Sequence, residues 1–536
     1  MSAQAGQSLA GKTRSLSDVG AAALPRWAAR GSQVARGALG AWAGANILFL
    51  VFLWFNHARF PLYLEIMEGV VLQHLRRAMS LVAIYPAPTP DYVPLAYNPL
   101  YYVLTVPFAW VFGANLFTLR LVAILGMFGS GLLVYIVVRE KTASAWWGFM
   151  AVGLFAAAYR VMDTYLDNAH SDSWLLCSAL LGSYLLDRSR ARGWNLLGVV
   201  LLTASFWFKQ HGALFVIGGV LFLTWRDGLR RSVPYWLTAA ILGPALYRLA
   251  GPALFGSHFL YFTWEVPRHW SEPNLAMVRR YLGFVVKSYP FLALSGGLTV
   301  CMAALRGRAR LSIWHVQFVF AMLAGLLGAL DPGSSNNVFI PMGTWFILLG
   351  TLGLHEWFGR YALARTYALH LIALAATFAL LAYRPSDVIT SPRAAAAYSD
   401  LLALLRSLDG SVYAPSLGQL PDGYTLYPAA HWVALEDMIR GPGRETRNHP
   451  NTRRLLAPAL QPGRPAFILS NYPLEVLIPA LSFLTDYYVL EADLGDRFRP
   501  LRALPKRWDA GWPRYLYRYA PQEGAPESMI PTQATP

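Results

Sequence analysis

Long apolar runs fill the middle of this chain and restrict it to folds that suit a lipid environment. Only 14% of the 536 residues are charged, whereas a soluble domain carries roughly 25%. Long runs with so little charge are typical of transmembrane helices. The sequence therefore predicts a polytopic α-helical membrane protein of about eleven spans, which lie approximately at 38–57, 117–138, 144–159, 173–186, 194–208, 212–225, 233–250, 283–304, 312–330, 338–355 and 366–383.

The more polar ends of the chain are predicted to lie outside the bilayer. Residues 1–36 are predicted to form a basic N-terminus, and residues 37–384 the membrane domain. Residues 385–520 alternate between helix-like and strand-like segments, which indicates a small soluble α/β domain. Residues 521–536 have the composition of a disordered tail.

Positive charges between the runs predict the orientation of the chain. Lys and Arg residues are concentrated in the N-terminal segment and in every second connection, at 139–141, 188–192, 226–231, 306–310 and 360–365. The positive-inside rule places these segments in the cytoplasm and the C-terminal domain outside it. These same clusters account for much of the net charge of +16, so the sequence does not indicate a nucleic-acid-binding protein.

Two of the predicted outer connections are long, at 58–116 and 251–282. The first opens with helical spacing over residues 62–79, which predicts a helix along the membrane surface. The second contains Arg268 and His269 among aromatic residues, for which interfacial anchoring and substrate contact are both adequate explanations. The turn at 331–337 is either a plain turn or a part of a sugar-binding pocket.

Four consecutive apolar runs, from 144–159 to 212–225, are shorter than the roughly 20 residues needed to span a bilayer. Polar residues that connect such short helices lie below the membrane surface, where charged groups usually face a wet cavity lined by protein. We therefore expect a sunken pocket formed by Asp163, Asp167, His170, Asp172, Lys209 and His211. The alternative is that the spans extend past these residues, which then pair with one another as structural ions.

A series of motifs follows the first apolar run in a fixed order: Glu68, Tyr85-Pro86, Tyr97-Asn98-Pro99-Leu100-Tyr101, Phe112-Gly113 and Arg120. In this order they resemble the bacterial GT-C glycosyltransferases, relatives of protein O-mannosyltransferases and of the lipid A aminoarabinose transferase. Asp172 and Lys209-Gln210 match two further motifs of that family. His170 stands where the family usually has Arg, and Asn98 stands where a proline is common.

The resemblance implies an enzyme of the bacterial inner (plasma) membrane that moves a sugar from a polyprenyl-phosphate donor to a hydroxyl acceptor on the extracytoplasmic face. Such a transfer needs a carboxylate that takes the proton of the acceptor, and positive charge beside the departing phosphate. Glu68 matches the family position and is predicted to be the base or its assistant, and Glu65 is the competing candidate. Asp172 is predicted either to position the acceptor or to hold a divalent cation together with Glu68.

Lys209 is predicted to bind the lipid phosphate, and the other predicted substrate-binding residues are Gln210, His211, His170, Tyr97, Arg268 and His269. Two carboxylates are too few to define a metal site, so a divalent metal ion is left open. The acceptor, which is a lipid, a polysaccharide or a protein, is left open as well. The alternative functions are a lipid or glycan transporter (flippase) and a non-catalytic membrane assembly partner.

Overall fold

The computed structural model describes residues 26–307, 310–358, 368–418, 428–442, 450–460, 464–477, 479–504 and 511–521. Five predictions fall at least partly outside these ranges. They concern the first 25 residues of the basic N-terminus, the basic connections at 306–310 and 360–365, the first two residues of the run at 366–383, parts of the C-terminal domain at 385–520, and residues 522–536 of the disordered tail.

Helices account for most of the described residues of each of the eleven apolar runs. The helices up to residue 384 are Arg26–Ala58, Glu68–Met79, Leu100–Phe112, Leu116–Thr142, Ala145–Ala157, Asp172–Arg188, Arg192–Phe208, Gly212–Asp227, Leu229–Ala240, Leu246–Leu249, Gly251–Phe255, Val266–Arg268, Leu275–Ser288, Pro290–Leu305, Ile313–Ala329, Ile340–Gly353 and Leu369–Leu381.

Three of the described helices are long and apolar enough to cross a membrane: Arg30–Ala58, Leu116–Thr142 and Asn336–Trp357. A fourth span exists if Leu275–Ser288 and Pro290–Leu305, which are bent by 100° at their junction, count as one. The predicted run at 283–304 is therefore interrupted, because Pro290 lacks an N–H and disfavours the helical conformation of the residue before it. The count of eleven spans stays a prediction.

The first outer connection departs from its predicted form. Its helix, Glu68–Met79, begins six residues later than expected, and the side chains from Glu68 to Leu75 are buried within the protein. The irregular turn before it has its own hydrogen bonds, since the N–H of Leu64 donates to Glu68 Oε2 at 2.8 Å and that of Met67 donates to Glu65 Oε2 at 2.8 Å. Glu65 thus lies in this turn and not on a helix with Glu68.

The second outer connection is shorter than predicted, because the helix Leu275–Ser288 begins inside it. Asn274 caps this helix by accepting the N–H of Met277 at 3.0 Å, which satisfies one of the unpaired donors of the first turn. The helix positions Arg280, whose guanidinium donates to the carbonyl oxygens of Asp331, Ser334 and Ser335. The turn at 331–337 is thereby fixed next to this connection.

The C-terminal part contains a small mixed sheet of four strands, in the order β1-β2-β4-β3. Strands β1 and β2 are parallel, and the other two pairs are antiparallel. The four strands are β1 Val412–Tyr413, β2 Phe467–Ser470, β3 Tyr488–Asp493 and β4 Tyr515–Tyr519. The helices of this part are Ala394–Ser407, Trp432–Ile439, Pro450–Leu456 and Leu474–Leu477, and a 3₁₀ segment follows at Pro479–Asp486.

The C-terminal part packs directly onto the first outer connection. Phe60, Leu62 and Leu64 share one apolar cluster with Leu401 and Phe498. The N–H of Leu504 donates to the carbonyl oxygen of Leu64 at 3.2 Å, and Asn471 bonds to the hydroxyl of Tyr63. This contact brings C-terminal residues to the ends of the membrane helices that the first outer connection joins.

Candidate active site

A cavity of about 300 Å³ lies where the first outer connection, the turns between membrane helices and the C-terminal part meet. Six of the predicted site residues line it: Glu65, Tyr97, Lys209, Gln210, His211 and Arg268. The other lining side chains with polar groups include Tyr165, Asp331, Ser334, Ser335, Asn337, Asp437 and Arg440. Glu68, His170, Asp172 and His269 do not line it.

Lys209 is held in the cavity wall by a buried carboxylate. Its Nζ lies 2.9 Å from Asp172 Oδ1 and 3.1 Å from Oδ2, and both side chains are almost fully buried. Asp172 Oδ2 also lies 2.5 Å from His170 Nδ1 and accepts a hydrogen bond from Asn337 Nδ2 at 2.8 Å. Asp172 does not line the cavity itself, but it positions two side chains that do, those of Lys209 and Asn337.

Some of the six residues that were predicted to form a sunken pocket lie together in the structure, and others do not. His170, Asp172 and Lys209 form one cluster, whereas Asp167 pairs with the ring of His57 at 2.6 Å. Asp163 instead accepts the backbone N–H of Asn336 at 2.8 Å, which anchors the turn at 331–337. Lys209 and His211 thus line a cavity, whereas Asp167 forms a structural pair, so both alternatives raised by the sequence occur.

Glu68 forms a buried ion pair with Arg120. The closest atoms, Arg120 Nη2 and Glu68 Oε2, are 2.6 Å apart, and the two side chains are 0% and 1% exposed. The carboxylate also accepts the N–H groups of Leu64 and Ala169, each at 2.8 Å. Arg120 in turn donates to the carbonyl oxygens of His57, Phe60 and Leu62. This pair fastens the first outer connection to the membrane helices.

Glu65 is the carboxylate of the first outer connection that lines the cavity. Glu65 is only 3% exposed, and its carboxylate accepts the N–H of Met67, which fixes the turn that carries it. A buried carboxylate on the wall of a cavity can accept a proton from a bound hydroxyl group. Of the two glutamates weighed from the sequence, Glu65 is therefore the one that a molecule in the cavity can contact.

Tyr97 and Gln210 complete the wall around Lys209. The Lys209 ammonium lies 5.3 Å from the centre of the Tyr97 ring, within cation–π range. Gln210 Nε2 donates to the carbonyl oxygens of Ala96 at 3.0 Å and Thr263 at 2.9 Å, so it joins the two outer connections. Burial and the nearby Lys209 lower the pKa of His211 to about 4, so its imidazole is neutral near pH 7.

Arg268 and His269 occupy different positions although they are neighbours. Arg268 lines the cavity, is about half exposed, and pairs with Glu265 at 2.6 Å. His269 Nδ1 instead bonds to the carbonyl oxygen of Glu265 at 2.7 Å, which ends a short helical segment. Arg268 can turn toward a bound anion, whereas His269 has a local structural contact.

Two cavity residues from the C-terminal part were not predicted from the sequence. Asp437 lies on the helix Trp432–Ile439, which we call the tail helix, and Arg440 follows this helix directly. Arg440 Nη2 pairs with Asp331 Oδ1 at 2.5 Å, and Trp270 Nε1 donates to the carbonyl oxygen of Asp437 at 3.3 Å. Because the region matched no motif, only the acidic dipeptide within an apolar helix could have drawn attention to it.

An apolar groove of about 550 Å³ adjoins the polar cavity, and Trp264 lines both. The groove is formed mainly by Phe206, Val216, Ile217, Val220, Trp236, Pro244, Tyr247 and Leu260. In the part of the chain that the structure describes, no group of three or more His, Cys, Asp or Glu side chains is arranged to hold a metal ion. Binding of a divalent metal ion therefore stays open, as it was in the sequence analysis.

The fold is similar to that of a solved protein of the class that the motifs resemble, so the resemblance agrees with a known structure at the level of fold. This solved structure is ArnT from Cupriavidus metallidurans in the apo state, to which the chain is similar with a TM-score of 0.50 and 15% identity. The match covers 92% of this chain and 100% of ArnT.

A second ArnT structure from the same organism, bound to undecaprenyl phosphate, matches with a TM-score of 0.48 and 14% identity over 90% of this chain and 99% of that chain. No protein-family model and no curated protein matches the sequence.

Proposed function

We propose that this protein is a membrane glycosyltransferase that moves a sugar from a polyprenyl-phosphate donor to a hydroxyl acceptor at the extracytoplasmic face of the bacterial plasma membrane. The observation that carries the proposal is the junction at Trp264, where an apolar groove meets a polar cavity that contains a carboxylate and cations. A lipid-linked sugar has this same division into an apolar chain and a polar head. The GT-C fold supports the assignment to this class of enzyme.

The donor is proposed to bind with its polyprenyl chain in the groove and its phosphate near Lys209 and Arg268. Both cations line the cavity, and Arg268 lies four residues after Trp264 on the same connection. Positive charge at this point stabilises the negative charge that develops on the phosphate as the sugar leaves. Asp172 is a positioning residue, because it fixes the ammonium of Lys209 without reaching the cavity itself.

Glu65 is proposed to be the catalytic base. The acceptor hydroxyl oxygen attacks the anomeric carbon, the bond between that carbon and the phosphate oxygen breaks, and the lipid phosphate departs with the electron pair. The hydroxyl proton passes to the Glu65 carboxylate. Glu68, whose carboxylate is occupied by Arg120 and two backbone N–H groups, acts through the placement of the turn that carries Glu65.

Mass spectrometry of membrane lipids from a strain that lacks the gene tests this function. The proposal predicts that a polyprenyl-phosphate sugar accumulates on the outer face and disappears when the wild-type gene is restored. Accumulation on the cytoplasmic face would indicate a transporter instead. Unchanged polyprenyl-phosphate lipids would rule out both of these functions.

A further inference from the structure

One face of the tail helix lines the cavity. Val433, Asp437 and Arg440 all line it, and their spacing of four and three residues places them on the same side of a helix. The start of the helix is fixed by His431, whose Nδ1 accepts the N–H of Val433 at 3.1 Å. The C-terminal part thus supplies a section of the wall that the membrane helices do not.

Contacts with the outer connections set the position of this face. Arg440 is paired with Asp331 at 2.5 Å, and its guanidinium lies 5.6 Å from the centre of the Trp270 ring. Trp270 also donates to the backbone carbonyl of Asp437. Arg440 is therefore engaged by Asp331, and Asp437 lines the cavity beside it.

The charged groups that act on the Asp437 carboxyl come from several elements. Burial raises the pKa of Asp437 well above its usual value; Arg440 opposes this shift, and Asp331, Glu436 and Glu65 reinforce it. Tyr97 also interacts electrostatically with Asp437. A carboxyl group with this environment is neutral over a wider pH range than usual and carries an O–H donor.

The other parts of a lipid-linked donor already have partners in the proposed function. The groove accommodates the lipid, and Lys209 with Arg268 accommodates the phosphate. The cavity volume of about 300 Å³ is at the lower end of ligand sites, which range over roughly 300–1,000 Å³. Such a cavity suits one small polar head, which leaves the sugar as the group next to the tail helix.

We propose that Asp437 of the tail helix binds the sugar of the lipid-linked donor by donating a hydrogen bond to one of its oxygen atoms. The C-terminal part of the chain then takes part in determining which sugar is transferred. This inference rests on the proposed function, because it requires a donor whose phosphate and lipid bind as described above.

Binding measurements on the full-length protein test the inference with two probes, which are undecaprenyl phosphate without a sugar and the glycolipid purified from the deletion strain. Asp437→Leu is expected to weaken glycolipid binding about tenfold, the effect of one lost hydrogen bond in a buried site. The affinity for undecaprenyl phosphate, which has no sugar, should change by less than about twofold. Glu491→Gln, in the same C-terminal part but neither lining the cavity nor among the charges that act on Asp437, is the matched control and should leave both affinities unchanged.

The dependence on pH separates a hydrogen-bond donor from a structural side chain. Above its raised pKa the Asp437 carboxyl ionises and loses its donor, so wild-type affinity for the glycolipid should fall as the pH rises through that pKa. Asp437→Asn keeps an N–H donor and cannot ionise, so its affinity should be retained and should lack this fall. Equal losses for both probes, or identical pH profiles of wild type and Asp437→Asn, would overturn the inference.

The outcomes also separate this inference from the function on which it rests. If wild-type protein binds the glycolipid no better than a phospholipid, both fail. If wild-type protein binds and transfers the sugar but Asp437→Leu does so equally well, the function stands and the role of Asp437 is wrong. A change confined to the KM of the acceptor would likewise overturn the assignment of Asp437 to the donor sugar.

Discussion

Replacing Glu68 by Gln should destabilise the protein, because the structure makes Glu68 an anchor. Each carboxylate oxygen accepts one backbone N–H, from Leu64 on one side and Ala169 on the other, in addition to the guanidinium of Arg120. A glutamine side chain has one oxygen and one NH₂ group, so either orientation of the amide points a donor at another donor. The buried Arg120 would also lose its compensating charge.

The size of the effect follows from the burial of this pair. Arg120 and Glu68 are 0% and 1% exposed, so water cannot replace the lost partner. Breaking a buried pair by removing one member costs about 3–5 kcal/mol. The remaining hydrogen bonds of Arg120 to three carbonyl oxygens do not supply a negative charge. We therefore expect a loss in this range.

Equilibrium unfolding of the purified protein in mixed micelles measures this loss. Glu491→Gln is the matched control, because Glu491 pairs with Arg518 at 2.8 Å while 43% exposed. Loss of an exposed pair of this type should cost less than about 1 kcal/mol. A free energy of unfolding for Glu68→Gln equal to that of the control would refute the anchoring role, and loss of transfer without loss of stability would return Glu68 to the catalytic machinery.

Lys209→Met should weaken binding of undecaprenyl phosphate at least tenfold in equilibrium binding assays, and unchanged affinity would remove Lys209 from the phosphate site. Asp172→Asn should lower this affinity less, since it leaves the ammonium in place but unpositioned. Arg440→Gln should cost less stability than Glu68→Gln, because the side chains of Arg440 and Asp331 are 23% and 20% exposed and water can replace part of the lost pair; a loss as large as that of Glu68→Gln would contradict this. Burial lowers the pKa of His431 to about 4, so the unfolded chain takes up a proton below pH ~6.5 that the native protein does not bind. Stability should therefore fall by up to about 3 kcal/mol between pH 7 and pH 4 from this residue, and His431→Gln should show a correspondingly smaller fall in the same unfolding assay.

Much of the fold was accessible from the sequence because apolar periodicity is a local signal. The runs at 173–186, 194–208 and 212–225 became helices with ends within a few residues of those predicted. The bend after Ser288 could have been expected from Pro290, whereas the late start of the helix at Glu68 could not. It depends on side-chain hydrogen bonds in a turn, which leave no trace in hydrophobic patterning.

The candidate site was only partly accessible, for a physical reason. Lys209 and Asp172 were found together because charged residues beside short apolar helices must avoid lipid, which brings them to one place. The roles of Glu65 and Glu68 could not be separated, because only the three-dimensional structure brings Arg120 to one of them. Asp437 reaches the cavity through a long-range contact of the C-terminal part, which no motif in the sequence announces.

The amount of polyprenyl-phosphate sugar in membranes of the deletion strain, when the strain carries Glu65→Gln, tests the central claim most directly. Western blotting should establish equal protein levels, and Glu436→Gln serves as the control. If Glu65 is the base in the cavity, the Glu65→Gln strain accumulates the glycolipid as fully as the empty-vector strain, while the control strain clears it. Clearance of the glycolipid by Glu65→Gln at the wild-type rate would contradict the account.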